Sequence, residues 1–324
     1  MLTYREVLSL AQTYNIGTIA FTDHDTLIDP ELFVQLKNEK GSVNIISGIE
    51  VSANYIKEVS GEIALFHIIG LFVDPANIAL RDYCTLAKAK RMERATRMVE
   101  YLNREGFILT VPEVLAQSDD GNIGRPHVVR ALLLHSENSQ RVDVLMEEFR
   151  RAAAKDPTME PRYEMACRQD AWGKIFSLLL IDDAFIPGIY VPYLHRLSMD
   201  EAVALIHGAG GIALLAHWSY IKNKLTPELL EIIARERRID GIETVYALLD
   251  SKSEEDKALA ASFAEDRAFV KSLIEQYDLI PGGGGDFHKI EDFERLRDPA
   301  NKELVEETTA FIERISKKFP DRTL

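Results

Sequence analysis

Short apolar runs alternate with amphipathic stretches towards both ends of the chain, and this alternation predicts an α/β fold. Each run is six to twelve residues long and ends near a glycine, a proline or a polar residue, as strands do. Because helix-like stretches separate most of these runs, we expect a largely parallel sheet. The strand-like runs are 16–21, 43–50, 62–73, 211–217, 241–248 and 279–284.

The stretches between the runs carry helix signals. Thr3 with Glu6, and Ser198 with Glu201, have the spacing of a capping box, in which the N-cap side chain and the carboxylate three residues later satisfy free backbone N–H groups. A short helix is expected from Pro30. Further helices are predicted after residue 226, over 252–276 and near 300–318.

The middle of the chain follows a different pattern. Residues 74–189 contain no convincing strand and consist of long charged, amphipathic stretches. We therefore predict two domains. Residues 1–73 and 190–324 form an α/β barrel, and residues 74–189 form a mostly helical insertion that covers the mouth of the barrel.

Composition and charge narrow the class of protein. The chain has 324 residues with 46% hydrophobic residues, which is enough for a large core. It has no apolar run of 18 residues and no signal-peptide pattern, so we expect a cytoplasmic protein without a membrane span. Its two cysteines follow no ligand spacing, which fits a reduced compartment. The net charge of −14 argues against binding of extended duplex nucleic acid.

Metal-binding residue types lie where the apolar runs end. His24 follows the first run, Glu50 ends the second and His217 ends the fourth, while Asp286 and His288 follow four glycines. Imidazole and carboxylate groups bind Zn, Mn or Fe, and a carboxylate can bridge two ions. Chemistry in α/β barrels is placed where strands end, so these residues predict a metal site there.

Each residue also has a simpler interpretation. His24, between Asp23 and Asp25, has even odds of being a surface histidine beside a helix cap. Glu50 has similar odds of being a loop carboxylate. His67 lies in the middle of an apolar run, where a hydrogen-bonded core histidine is favoured. The four glycines before Asp286 make that pair more specific, because glycine lets the backbone approach an ion or phosphate closely.

Taken in order, the motifs T-D-H-D-T, G-I-E, H-I-I-G, G-R-P-H, G-G-I-A-L-L-A-H and D-F-H resemble the PHP (polymerase and histidinol phosphatase) family of metal-dependent phosphoesterases. More narrowly, the chain resembles the 3′,5′-nucleotide bisphosphatase branch. The resemblance implies a distorted (β/α)7 barrel with two to three Mn, Fe or Zn ions and hydrolysis of phosphate esters. It also implies a set of metal ligands, with Glu50 as the bridging one: His24, Glu50, His67, His217, Asp286 and His288.

The G-R-P-H motif, residues 124–127, falls within the helical insertion. The resemblance implies that Arg125 clamps a phosphate and that His127 binds or protonates a phosphate oxygen. Without the family context, a plain turn into a helix with Pro126 in its first turn is the favoured interpretation.

The chain departs from the family at its start. The family begins with a strand carrying H-x-H and then an Asp, whereas this chain begins at Met1, where the next helix is expected. A shortened N-terminus or a mis-assigned start codon is favoured over a natural variant. The barrel would then lack its first strand and hold fewer ions. Two smaller departures are Trp218, where the family has Pro, and Gly285, where it has Ser.

These observations predict a metal-dependent phosphoesterase that acts on phosphomonoesters of small nucleotides or oligonucleotide ends. Asp286 is expected to help position the attacking water and His127 to transfer a proton. Two alternatives stay open: a catalytically impaired or regulatory barrel that binds metal or ligand without turnover, and an amidohydrolase that cleaves C–N bonds. The G-R-P-H motif disfavours the last.

Overall fold

The computed structural model describes residues 2–319 apart from 40, 42, 57–62, 119–120, 246–248, 250 and 288–289. It divides into two compact units. One consists of residues 1–84 and 196–324, and the other of residues 85–195. The predicted boundaries, 73 and 189, lie 11 and six residues before those of the units. The idea that the helical unit covers a barrel mouth stays a prediction.

The first unit is built on one seven-stranded sheet. Its spatial order is β1-β2-β3-β5-β6-β7, and the two-residue strand β4 pairs with β2 outside this order. The strands are β1 (Thr18–Phe21), β2 (Asn44–Ile56), β3 (Ile63–Leu71), β4 (Leu197–Ser198), β5 (Ile212–Leu215), β6 (Gly241–Val245) and β7 (Ile280–Gly283).

The sheet is mixed, and the prediction of a largely parallel sheet was wrong for its centre. Strands β1 and β2 are parallel, as are β5, β6 and β7, but β3 runs antiparallel to both β2 and β5. Only six residues separate β2 from β3, too few for the crossover that a parallel pair needs. The described pairings start at β1 and end at β7, so closure into a (β/α)7 barrel stays a prediction.

Helices connect these strands and make up the second unit. Both predicted capping boxes are confirmed: Thr3 with Glu6 begins α1, and Ser198 with Glu201 begins α9. The helices are α1 (Tyr4–Thr13), α2 (Pro30–Glu39), α3 (Ile78–Arg104), α4 (Val111–Leu115), α5 (Arg125–Leu132), α6 (Ser136–Ala153), α7 (Glu160–Arg168), α8 (Ala171–Leu179), α9 (Met199–Gly208), α10 (Pro227–Arg235), α11 (Glu254–Tyr277), α12 (Ile290–Arg295) and α13 (Lys302–Lys318). Single 3-10 turns lie at Pro157–Met159, Trp218–Tyr220 and Pro299–Asn301. None of the described helices combines the length and the apolar character that crossing a bilayer requires.

The second unit contains helices and no strand among its described residues. Its core is a single apolar cluster to which α3, α5, α6 and α8 contribute, among others. A buried polar side chain, Asn138, connects its loops to this core. Its amide donates to the carbonyls of Ile108 and Leu132, and its oxygen accepts from the N–H of Ile108. The unit therefore has an apolar core of its own.

Strands β5 and β6 form the most deeply buried part of the sheet. Every residue of both strands is buried. In β5 these are four apolar residues, as expected for a strand covered on both faces. In β6 the buried residues include the acidic side chain of Glu243 and the hydroxyl of Thr244. A buried carboxylate needs partners, and those of Glu243 lie at the carboxyl end of β5.

A candidate metal centre on neighbouring strands

Backbone hydrogen bonds fix His24 beside Glu50. The two residues form an isolated parallel bridge beyond the end of β1. The N–H of Asp25 donates to the Glu50 carbonyl at 2.9 Å, and the N–H of Glu50 donates to the Asp23 carbonyl at 3.1 Å. The pairing of β1 with β2 thus continues past β1, and it places the His24 imidazole 3.3 Å from the Glu50 carboxylate, measured from Nδ1 to Oε2.

The carboxylates on either side of His24 bind to the surrounding scaffold. Asp23 accepts a hydrogen bond from the Tyr4 hydroxyl at 2.8 Å. Asp25 is 1% exposed and accepts hydrogen bonds from Ser52 and from the hydroxyl of Tyr83. These contacts fix the backbone on both sides of the imidazole, which the sequence pattern alone did not show.

His67 reaches the same carboxylate from β3. Side chains alternate along this strand, and Phe66 and Ile68 are buried while His67 is only partly buried. His67 lies opposite Ser52 in the register of β2 and β3, two residues beyond Glu50. Its Nδ1 lies 3.0 Å from Oε1 of Glu50. The interpretation of His67 as an ordinary core histidine is therefore disfavoured.

His217 completes the cluster from the end of β5. Its Nε2 lies 3.2 Å from Oε1 of Glu50 and 3.2 Å from Nδ1 of His67. Its backbone is in the left-handed region, with φ 33° and ψ 50°, which is uncommon for residues other than glycine. This conformation turns the chain sharply at the end of the strand.

The loop after His217 is anchored at two points. Trp218 is buried, and its indole N–H donates to the Leu225 carbonyl at 2.6 Å. Lys222 contacts both oxygens of the buried Asp266 carboxylate at 2.8 Å. These contacts of Trp218 and Lys222 fix the shape of the loop.

The four side chains His24, Glu50, His67 and His217 form a donor set that fits a divalent cation. Neighbouring nitrogen and oxygen atoms lie 3.0 to 3.3 Å apart. Ligand atoms bound about 2.1 Å from one ion at angles of 90° to 110° lie roughly 3.0 to 3.4 Å apart, so the spacing matches. Within the described residues, one ligand atom each from His24, Glu50 and His67 all lie within 4.8 Å of one another. The structure brings these four predicted residues together, and their role as metal ligands stays a prediction.

The charges within the cluster favour the ionised form of the Glu50 carboxylate. Burial raises the pKa of Glu50, but the three imidazoles lower it by more, and the net pKa lies well below its usual value. Burial lowers the pKa of His217, yet the charges of Glu50, Glu243 and Asp286 raise it overall. Glu50 therefore remains ionised, as a metal ligand must.

Glu243 belongs to this site, although the sequence analysis gave it no role. Its carboxylate, on β6, accepts the backbone N–H of His217 at 2.9 Å. Burial raises the pKa of Glu243 to about 8, His217 opposes the shift, and the charges of Glu50 and Asp286 add to it. In the sequence it is a single acidic residue within the run 241–248, and that position was the available signal.

The remaining predicted ligands lie on the segment after β7. The charge of Asp286 raises the pKa of both His217 and Glu243, which places its carboxylate near them. Its backbone has a φ of 51°. A Cβ at Gly285 would lie 1.8 Å from the ring of Phe287, so glycine leaves room for this ring position. His288 lies outside the described residues.

Arg125 and His127 lie in the second unit. Arg125 donates to the Leu180 carbonyl at 3.1 Å and packs over the rings of Phe176 and Tyr190. His127 is buried, and its Nδ1 accepts the N–H of Gly124 at 2.9 Å. The turn at the start of α5, with Pro126 in its first turn, is therefore present. Phosphate binding by either residue stays a prediction.

Comparison with known proteins identifies hydrolases as homologues. No protein-family model matches the chain. The chain is 24% identical to the 5′-3′ exoribonuclease Rnm of Salmonella typhimurium over 67% of its own length, and this match spans only 60% of that enzyme. It is 27% identical to a phosphoribosyl 1,2-cyclic phosphate 1,2-diphosphodiesterase of Eggerthella lenta over 88% of both chains. It is 25% identical to a 3′,5′-nucleoside bisphosphate phosphatase of Chromobacterium violaceum, over 94% of this chain and 91% of that one.

Solved structures agree on the fold. A protein from Bifidobacterium adolescentis described as a metal-dependent phosphoesterase superposes with a TM-score of 0.62 at 22% identity, covering 97% of this chain and 91% of that one. A Chromobacterium violaceum protein named an amidohydrolase, with bound sulfate and no metal, gives 0.54 at 25% identity over 89% and 82%. The fold of the first unit is thus the α/β fold with a half-barrel sheet found in such proteins.

Proposed function

We propose that this chain is a metal-dependent phosphoesterase of the PHP type that hydrolyses phosphomonoesters of small nucleotides or oligonucleotide ends. The observation that carries the proposal is the convergence on the Glu50 carboxylate of three imidazoles, two from just beyond the ends of β1 and β5 and one from within β3. The homologues support it, since they are hydrolases whose names specify phosphate esters of nucleotides, RNA or a ribosyl phosphate.

The metal would be held by His24, Glu50, His67 and His217, with Asp286 and His288 as further ligands. Bound Mn, Fe or Zn would act as a Lewis acid on a phosphate oxygen and lower the pKa of a water molecule. The side chains of this protein orient the reactants. Glu50 stays ionised and fixes three imidazoles, and Asp286 would accept the hydrogen bond that orients the attacking water. Arg125 and His127 are proposed to bind phosphate, and His127 to transfer a proton to the leaving oxygen.

Charge limits the substrate. A chain with a net charge of −14 lacks the basic surface that extended duplexes require, so small phosphorylated molecules and single-stranded ends are the favoured substrates. Such molecules occur in the cytoplasm, and a cytoplasmic location remains part of the proposal.

The proposal is tested by measuring phosphate release from 3′-phosphoadenosine 5′-phosphate with added Mn²⁺. A 5′-phosphorylated RNA oligomer and glucose 6-phosphate are assayed in parallel to compare substrate classes. We expect His217→Ala to abolish release. The matched control is His207→Gln, because His207 pairs with Asp240 at the opposite end of β5 and β6. Equal turnover by the wild type and His217→Ala would refute the mechanism.

Assays on the same purified protein distinguish two other functions from the proposed one. A regulatory barrel would bind Mn²⁺ but release no phosphate from any of the three esters. An amidohydrolase is favoured only by the name of one similar structure. A parallel screen of amides would detect it, and hydrolysis of amides without hydrolysis of esters would replace our proposal.

A further inference from the structure

A buried carboxylate on β6 contacts the backbone of one metal-centre histidine rather than its ring. Glu243 is 8% exposed, and its Oε2 accepts the His217 N–H at 2.9 Å. The pairing of β6 with β7 is irregular between Glu243 and Val245. Irregularities of this kind redirect side chains next to active sites. This one lies where Glu243 leaves the regular ladder.

His217 needs such a contact because its backbone conformation is unfavourable. A left-handed conformation costs a residue with a side chain roughly 1 to 2 kcal/mol, and it persists only where the surroundings enforce it. The backbone N–H of His217 lies against the buried Glu243 side chain. The hydrogen bond to Glu243 satisfies this N–H and stabilises the turn that directs the imidazole towards Glu50 and His67.

The glycine run that begins within β7 accommodates this carboxylate. A Cβ at Gly284 would lie 3.2 Å from Oε1 of Glu243, and a Cβ at Gly282 would lie 3.5 Å from its Cγ. The sequence analysis interpreted the four glycines as a close approach to an ion or phosphate. In the structure, two of them face Glu243.

From these contacts we infer that Glu243 is a positioning residue. It accepts the backbone N–H of His217 and so fixes this histidine for metal binding, and Gly284 leaves room for the Glu243 carboxylate. The inference rests on the proposed metal centre. It assigns Glu243 no contact with substrate. It explains why a buried carboxylate is placed in a strand whose neighbours are otherwise apolar.

The test is the Mn²⁺ affinity of the full chain, measured by titration calorimetry, together with the Co²⁺ absorption spectrum, which reports ligand geometry. Glu243→Met removes the acceptor at similar volume and is expected to weaken Mn²⁺ binding about 10-fold, in the range found for groups that orient metal ligands. Glu243→Gln keeps an acceptor for the His217 N–H and should remain within about 3-fold of wild type, with an unchanged Co²⁺ spectrum. Equal losses in the two variants would refute positioning through this hydrogen bond.

A pair of glycine variants tests the same idea without altering Glu243. Gly284→Ala places a methyl group against Oε1 and is expected to weaken Mn²⁺ binding, whereas Gly208→Ala, where nothing lies within 4 Å, should not. This pair decides the question if Glu243→Met does not fold. Wild-type binding of Mn²⁺ with no loss in Glu243→Met or Gly284→Ala would overturn this inference alone. Absence of Mn²⁺ binding by the wild type would overturn the proposed function as well.

Discussion

Asp25 accepts two hydrogen bonds from Ser52, one from its backbone N–H and one from its hydroxyl, each 2.8 Å long. The hydroxyl of Tyr83 donates to the same carboxylate. This contact ties the loop that carries His24 to the strand that carries Glu50. The relative position of two candidate metal ligands is therefore maintained by a side chain that is not proposed to bind the metal.

Replacement of Asp25 by alanine should destabilise the fold. Asp25→Ala leaves the Ser52 and Tyr83 donors buried without their acceptor, and it places alanine at a φ of 49°. We expect a loss of about 3 kcal/mol in the free energy of unfolding, measured by urea denaturation. Asp25→Asn is the matched control, because its oxygen can accept, its amide can donate to the Ser52 hydroxyl, and asparagine tolerates positive φ. A loss in Asp25→Asn as large as that in Asp25→Ala would contradict this explanation.

Mn²⁺ should stabilise the protein through Glu50. A ligand that binds only the folded state adds about 2.7 kcal/mol at a concentration 100 times its Kd. We expect the melting temperature to rise with Mn²⁺, to return after chelation, and to be unaffected by Mn²⁺ in Glu50→Gln. The control is Glu228→Gln, which changes an exposed glutamate in the first turn of α10. A full response to Mn²⁺ in Glu50→Gln would exclude this carboxylate as the shared ligand.

The loop after His217 should depend on the pair formed by Lys222 and Asp266. Lys222→Met leaves the buried Asp266 carboxylate without this cation, while Lys222 itself is partly exposed, so we expect a loss of about 1 to 2 kcal/mol. Lys224→Met, two residues further along the same loop, serves as the control and should be neutral. The free energies of unfolding of both variants are measured by chemical denaturation. Equal values for the two would show that the pair of Lys222 and Asp266 does not anchor the loop.

The two cysteines should differ in reactivity. Burial and the negative charge of Asp25 raise the pKa of the Cys84 thiol to about 12, so only about one part in ten thousand is thiolate at pH 8. Cys167 is exposed. Ellman's reagent at pH 8 should therefore titrate one thiol in the folded protein and two in denaturant. In Cys167→Ser, rapid labelling of the folded protein would contradict the raised pKa of the partly buried Cys84 thiol.

Local sequence patterns predicted the elements of this fold well. The capping boxes at Thr3 and Ser198 form as expected, since a capping interaction is complete within four residues. The strand-like runs became strands because apolar residues in each run must be buried. The direction of β3 was not predicted, because pairing direction depends on how neighbouring strands are connected and not on the pattern within one run.

The candidate metal centre shows the same division. The positions of His24, Glu50 and His217 at the ends of apolar runs indicated a shared site, and these three meet. His67 remained ambiguous, because a histidine within a strand faces either the core or the site according to the register. Glu243 was missed, because its partner His217 is 26 residues away and the contact involves a backbone N–H.

The sequence by itself determined most of the helices and strands and which chemical groups lie near the ends of the apolar runs, because periodicity and capping act over a few residues. Only the tertiary structure decided which of these groups share a carboxylate, through the pairing of β2 with β3 and the left-handed turn at His217. The physical reason is that metal-ligand geometry depends on distances of about 3 Å between atoms far apart in the chain, and such distances are fixed only when the sheet is packed.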